Sequence, residues 1–158
     1  MAKTVKYIQS MVGPASKNVG DTESLGDTEA NNLVTAGFAV FLTPTASIYP
    51  TQVDDTDVGA TVDMQVMPVA RTYQATQLIG VVTGTTPSLT GKIQESADGS
   101  TWTDISGATF TAVTASDNWQ VIRFTSTKRY LRHARTVTGT MPTFLLAATI
   151  QQVNPGSW

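Results

Sequence analysis

The chain has 158 residues, with ten basic and twelve acidic side chains, one histidine and no cysteine. Disulfides, thiolate metal sites and cysteine nucleophiles are thereby excluded, the lone His133 removes multi-histidine metal centres, and a net charge of -2 offers no field able to hold a nucleic-acid backbone. Charged residues are 14% of the chain against about 25% in an average soluble domain, and the abundant threonine suits half-buried pleated strands.

In chain order, residues 5–11 read as a short strand with Val5, Tyr7, Ile8 and Met11 among its apolar residues, stopped by Gly13-Pro14. A turn over 17–21 leads into a predicted short helix. Gly26 is its N-cap, Asp27 and Glu29 complement the helix dipole, Ala30, Leu33 and Val34 form the buried stripe, and Gly37 is the C-terminal stop. Residues 38–42 form a closing strand, so 1–42 is expected to be a small β-α-β unit. Residues 43–59 carry two prolines and an acidic cluster and read as a linker or extended arm.

From Ala60 alternation takes over, with Val62, Met64 and Val66 against Thr61, Asp63 and Gln65. Gln77–Val82 is apolar after its first residue, the pattern of a strand covered on both faces. Further strands are expected around Leu89–Ile93, Thr101–Ile105, Trp119–Thr125, Arg129–Val137 and Thr143–Gln151. Seven or so short strands separated by Gly, Pro, Asp and Ser turns predict a mainly β domain over 60–152, an antiparallel β-sandwich of jelly-roll or immunoglobulin-like type, with a tail over 153–158. No internal repeat at a fixed period is evident. No export signal and no apolar run of membrane-spanning length is legible, so a soluble protein without a membrane partner is expected.

Three groups of residues could carry function. Ser96-Ala97-Asp98-Gly99-Ser100-Thr101-Trp102 is a hairpin turn followed by a tryptophan expected to pack beneath it. It is similar to the Asp-box turn of sialidase-type propellers and to the hairpin of discoidin-like sugar-binding sandwiches, although Asp98 and Gly99 are adjacent here and one blade cannot make a propeller. A structural hairpin and a ligand-contacting loop are the two readings. Asp54, Asp55 and Asp57 offer carboxylates to a cation, but an EF-hand counted from Asp55 would need glycine at Ala60 and a bidentate acid at Val66, so a solvated acidic segment is the alternative.

Arg123, Lys128, Arg129, Arg132 and Arg135 gather five of the ten basic residues into one region. Either they line an exposed strand or they pair with acidic groups of a neighbouring subunit, and with Asp54, Asp55 and Asp57 they are the candidate interface. No nucleophile elbow, Walker loop or dinucleotide fingerprint surrounds His133, so no catalytic residue and no cofactor is expected.

Two stretches carry a resemblance. The Leu89–Phe110 hairpin, together with Arg129-Tyr130-Leu131-Arg132 and Thr136-Val137-Thr138-Gly139-Thr140-Met141-Pro142-Thr143-Phe144, resembles small β-sandwich domains of tailed-bacteriophage virion proteins. Asn18-Val19-Gly20-Asp21, Leu25, Ala30, Leu33 and Gly37-Phe38-Ala39 look like a small N-terminal unit of phage and prophage structural proteins. The resemblance implies a capsid decoration or cement protein, made in the host cytoplasm and added to the capsid exterior, with the major capsid protein and neighbouring copies of itself as partners. The alternatives are a tail- or fibre-associated module binding host-surface glycans through Trp102 or Trp119, and a head-tail connector or tail component.

Overall fold

The computed structural model describes residues 3–7, 22–25, 28, 32, 39–41, 45–64 and 70–153. The chain is mainly β, with antiparallel pairing throughout the described strands. Strands β1 (Lys3–Tyr7), β2 (Thr22–Leu25) and β3 (Ala39–Phe41) make a three-stranded sheet in the order β2-β1-β3, burying Val5 and Leu25. The helix expected over 26–37 falls almost wholly outside the described residues. Thr28 and Asn32 are helical and exposed. The tail after Val153 and the alternating positions 65 and 66 also lie outside the described residues.

The remaining strands form one seven-stranded sheet: β4 (Thr45–Val53), β5 (Asp57–Val58), β6 (Val62–Asp63), β7 (Arg71–Ser96), β8 (Thr103–Thr109), β9 (Asn118–Ser126) and β10 (Tyr130–Gln152). Its axis is the antiparallel pair β7 and β10, joined along nearly their whole length. At one end β4 flanks the second half of β10 and β9 flanks the first half of β7. At the other end β5 and β6 flank the first half of β10 and β8 flanks the second half of β7.

Within residues 43–59, expected to be a linker or extended arm, the chain runs as β4 and β5 paired to β10. Ser47, Ile48 and Val53 are buried against the sheet, and the Ser47 hydroxyl donates to the Ala60 carbonyl while accepting from the His133 amide. Apolar content of only a few residues, masked by Pro50 and three aspartates, is enough to seat an edge strand when a long neighbour offers its backbone.

The pairing has an internal two-fold symmetry. Val82-Thr83-Gly84-Thr85-Thr86-Pro87-Ser88-Leu89 repeats as Val137-Thr138-Gly139-Thr140-Met141-Pro142-Thr143-Phe144, and Thr85 pairs with Thr140 at the centre. Phe144 opposite Val82 is matched by Leu89 opposite Val137. The relation extends to the flanking strands: Val53 opposite Phe144 is matched by Val113 opposite Leu89, and Val62 opposite Leu131 by Ile122 opposite Ala75. The chain thus contains two copies of one unit, β4–β7 and β8–β10, in which β5 and β6 together match β9, contrary to the expectation of no repeat.

Both copies bend at the repeated motif. Gly84 and Gly139 take φ of 108° and 124°, and Thr86 and Met141 take φ of 50° and 48°. A Cβ on Gly84 would stand 2.5 Å from the Met141 carbonyl oxygen, and one on Gly139 would stand 2.8 Å from that of Thr86. Only glycine fits where two backbones cross this closely. One buried cluster draws Tyr73, Ala75, Phe124 and Ile150 from one end of the sheet and Val62, Ile93, Phe110 and Leu131 from the other. A second joins Ile48, Ile79, Phe144 and Leu146 to Leu89 and Val113.

Candidate functional site

Four of the five clustered basic residues are engaged within the chain. Arg135, 8% exposed, reaches Asp55 Oδ1 at 2.7 Å and Asp57 Oδ2 at 3.5 Å, and its Nε donates to the Asp55 carbonyl. The two carboxylates considered for a cation thus face a guanidinium, which ties the β4–β5 connection to β10. Asp54 beside them is exposed. Arg129 makes a two-pronged pair with Asp63 at 2.9 and 2.8 Å, which raises its pKa. Arg132 donates to Gln94 at 2.9 Å and lies 4.1 Å over the Trp102 ring, and burial lowers its pKa. Arg123 donates to Gln74 across β9 and β7, while Lys128 is exposed beside the Ser126 turn.

The Ser96–Trp102 segment is the hairpin between β7 and β8. Asp98 Oδ1 accepts from the Ser100 and Thr101 amides, each at 2.8 Å, and from the Ser96 hydroxyl. Those backbone donors hold its carboxyl well below the usual range. The ring under Gly99 is Tyr130, 3.6 Å from where a Cβ would be, while Trp102 packs on Arg132 instead. The planar guanidinium reaches the indole from β10, across the intervening β7, and holds it by its ring face.

His133 and Gln77 meet in the interior, one from each end of the sheet. Both are fully buried, with His133 Nε2 2.9 Å from Gln77 Oε1, and Gly91 leaves the space they fill. They are equivalents under the internal two-fold, since Gln77 faces Ala148 as His133 faces Ile93. Facing a carbonyl oxygen, Nε2 carries the ring proton and donates it. His133 Nδ1 and Gln77 Nε2 find no partner among the described residues. Ser47 bonds the His133 amide rather than its ring, so no serine nucleophile addresses the imidazole there. Among the described residues no three His, Cys, Asp or Glu side chains gather as a metal site.

Burial, with a smaller like-charge effect from Arg135, lowers the His133 pKa from 6.5 to about 4. Because the unfolded chain accepts a proton that the folded chain refuses, stability is complete above pH 6.5 and declines as pH falls towards 4. The full loss is roughly 3 kcal/mol. Asp98 and Asp104, whose pKa values are lowered by their hydrogen bonds, lose their contributions at lower pH. Urea midpoints at pH 7 and 4.5 should therefore differ clearly, and His133→Gln should flatten the difference; an equal slope in both proteins would assign it elsewhere.

The feature that composition and alternation did not reveal is an uncovered apolar sheet face. Gln77–Val82 is bare on one side: Leu78 is 50% exposed, beside Trp119 at 69%, with Val121 and Leu145 also exposed. Trp119 opposes Leu78, which opposes Ala147, so the three stand in a row across β9, β7 and β10. Between them lies a shallow groove of about 340 Å³ lined by Thr76, Leu78, Trp119, Ala147 and Thr149. The corresponding face at the other end differs completely. Positions equivalent to Thr76, Ala147 and Thr149 are Arg132, Lys92 and Gln94, and Lys92 and Gln94 both bind Asp104, at 2.7 and 2.8 Å.

No protein-family model matches this chain, and no curated protein matches it.

Proposed function

We propose that the protein is a non-catalytic virion structural protein of a tailed bacteriophage, a decoration or cement protein on the capsid exterior that binds the major capsid protein and copies of itself. The observation that carries this reading is the uncovered Leu78–Trp119 face on a charge-poor β chain, because apolar sheet surface left in water marks a protein contact. The phage-like motifs supply the kind of particle. In this reading the two ends of the sheet fold over each other as a β-sandwich about the His133–Gln77 contact, and residues 1–42 form a small β-α-β unit beside it. Modest contacts repeated over many copies would then strengthen the shell. Among the charged candidates, the exposed Lys128 and Asp54 would face a neighbouring subunit, whereas Arg123, Arg129 and Arg135 are engaged within the chain.

Particles lacking the protein should assemble but release DNA at a lower temperature than complete ones. Equal heat tolerance, or localisation of the chain to the tail alone, would overturn the cement reading. A second reading, glycan adhesion, is favoured by one observation: Trp119 flanks a groove that also carries the Thr76 and Thr149 side chains. Saturable polysaccharide binding that Trp119→Ala abolishes would select it.

A further inference from the structure

We propose that two copies of this chain pair face to face through the Leu78–Trp119 surface, each Trp119 seated in the other's groove. A closed two-fold contact requires that one patch carry both a projection and its receptacle. Here the exposed indole stands directly beside an apolar groove of about 340 Å³. The groove's lining contains no charged side chain, so stacking two copies buries no like charges there.

The area is adequate as well. Tyr49, 67% exposed on β4 opposite the Ala147 region, and Trp119, 69% exposed, each leave about two thirds of an aromatic side chain's roughly 150–250 Å² to be covered. With Leu78, Val121 and Leu145 they form a patch of several hundred Å², of the order of the ~800 Å² per partner in a standard interface.

The internal two-fold sharpens the choice of partner. Each half of the molecule presents the same backbone surface, yet one half carries Lys92, Gln94 and Arg132 where the other carries Ala147, Thr149 and Thr76. A face that only needed to be solvated could have kept the charged set. The apolar set is the one that suits a flat partner of the same kind, and a second copy presents such a surface at matching spacing. An oligosaccharide fits less well, since the lining offers few hydrogen-bonding groups to replace a polyol's water.

The inference rests on this face and not on the particle it joins, and its test uses the purified full-length protein alone, so its failure and that of the cement reading are separable. Sedimentation over a concentration series should show a monomer–dimer equilibrium. Leu78→Glu and, separately, Trp119→Ser should each raise the dimer dissociation constant about 30-fold or more, with melting transitions of the monomer unchanged because both side chains project into solvent. Val121→Lys is the second probe of the same face should either variant misfold. Lys92→Ser, on the opposite polar face, should leave dimerisation as it was. A protein that stays monomeric at high micromolar concentration, or a dimer indifferent to all three face variants, overturns the proposal.

Discussion

Gly91→Val should cost the fold roughly 4 kcal/mol. A Cβ at this position would lie only 2.5 Å from His133 Nε2 and would collide still more closely with Gln77 Oε1. The valine cannot be housed by a rotamer change at either neighbour, since both are fully buried between the two ends of the sheet. Overpacking of this kind costs about 1–3 kcal/mol, and separating the pair strands two buried polar groups at about 1–3 kcal/mol more. For a domain of this size each kcal/mol moves the melting temperature by about 2–4 °C, so the transition should fall by roughly 10 °C or more. Replacing Gln77 by Ala in the same chain should recover part of the loss by vacating the space the valine needs. If Gly91→Val melts like the wild type, the interior contact is not where the structure places it.

The second large effect is expected at the bend. Gly84→Ala and Gly139→Ala should each destabilise by roughly 3 kcal/mol or more, and by similar amounts, because the two glycines are symmetry equivalents in the same conformation. Strain from a left-handed φ accounts for about 1–3 kcal/mol. Displacement of the crossing backbone adds to it, at Met141 and Pro142 in one case and at Thr86 and Pro87 in the other. Gly107 is the natural control. Its φ is also positive, at 77°, but nothing lies within 4 Å of its missing Cβ, so Gly107→Ala carries the conformational cost alone. Equal urea midpoints for Gly107→Ala and Gly84→Ala would mean that the backbone crossing contributes nothing.

The residues that made strands were legible because alternation survives in them: Tyr73, Ala75, Gln77 and Ile79 point inward by turns, as do Leu89, Gly91 and Ile93. What alternation misjudged was continuity. Gly80, Gly84 and Pro87 look like the ends of separate strands, and so do Gly139 and Pro142, yet in each case the chain stays extended through a bulge and continues as one long strand. A glycine signals a backbone that needs no Cβ; whether it turns or lets a neighbour pass depends on a partner distant in sequence.

The repeat is hidden in the sequence for a related reason. It is well preserved only over the bend, where geometry is demanding, while the flanking strands keep burial but not identity, as Ile48 corresponds to Ala108 and Met64 to Phe124. Of the candidate site, the clustering of basic residues was visible, but their partners were not, because Arg135 finds Asp55 and Arg129 finds Asp63 only through strand pairing. The bareness of the Leu78 face was invisible for a deeper reason: an apolar residue that awaits a partner and one already covered look the same in sequence.

Because β7 and β10 each belong to both ends of the sheet, neither end can be finished while the other is still missing. On the ribosome, β4 through β9 would emerge with no β10 to join β4 to β7, and β4 would hold open hydrogen-bonding edges until residues 143–152 arrived. Closure of the sheet is thus deferred until β10 is made, at a synthesis rate of about 5–20 residues per second. Once closed, the same sharing means that loosening one end withdraws the template on which the other is built, so partial loss of the sheet is not a resting place for this chain.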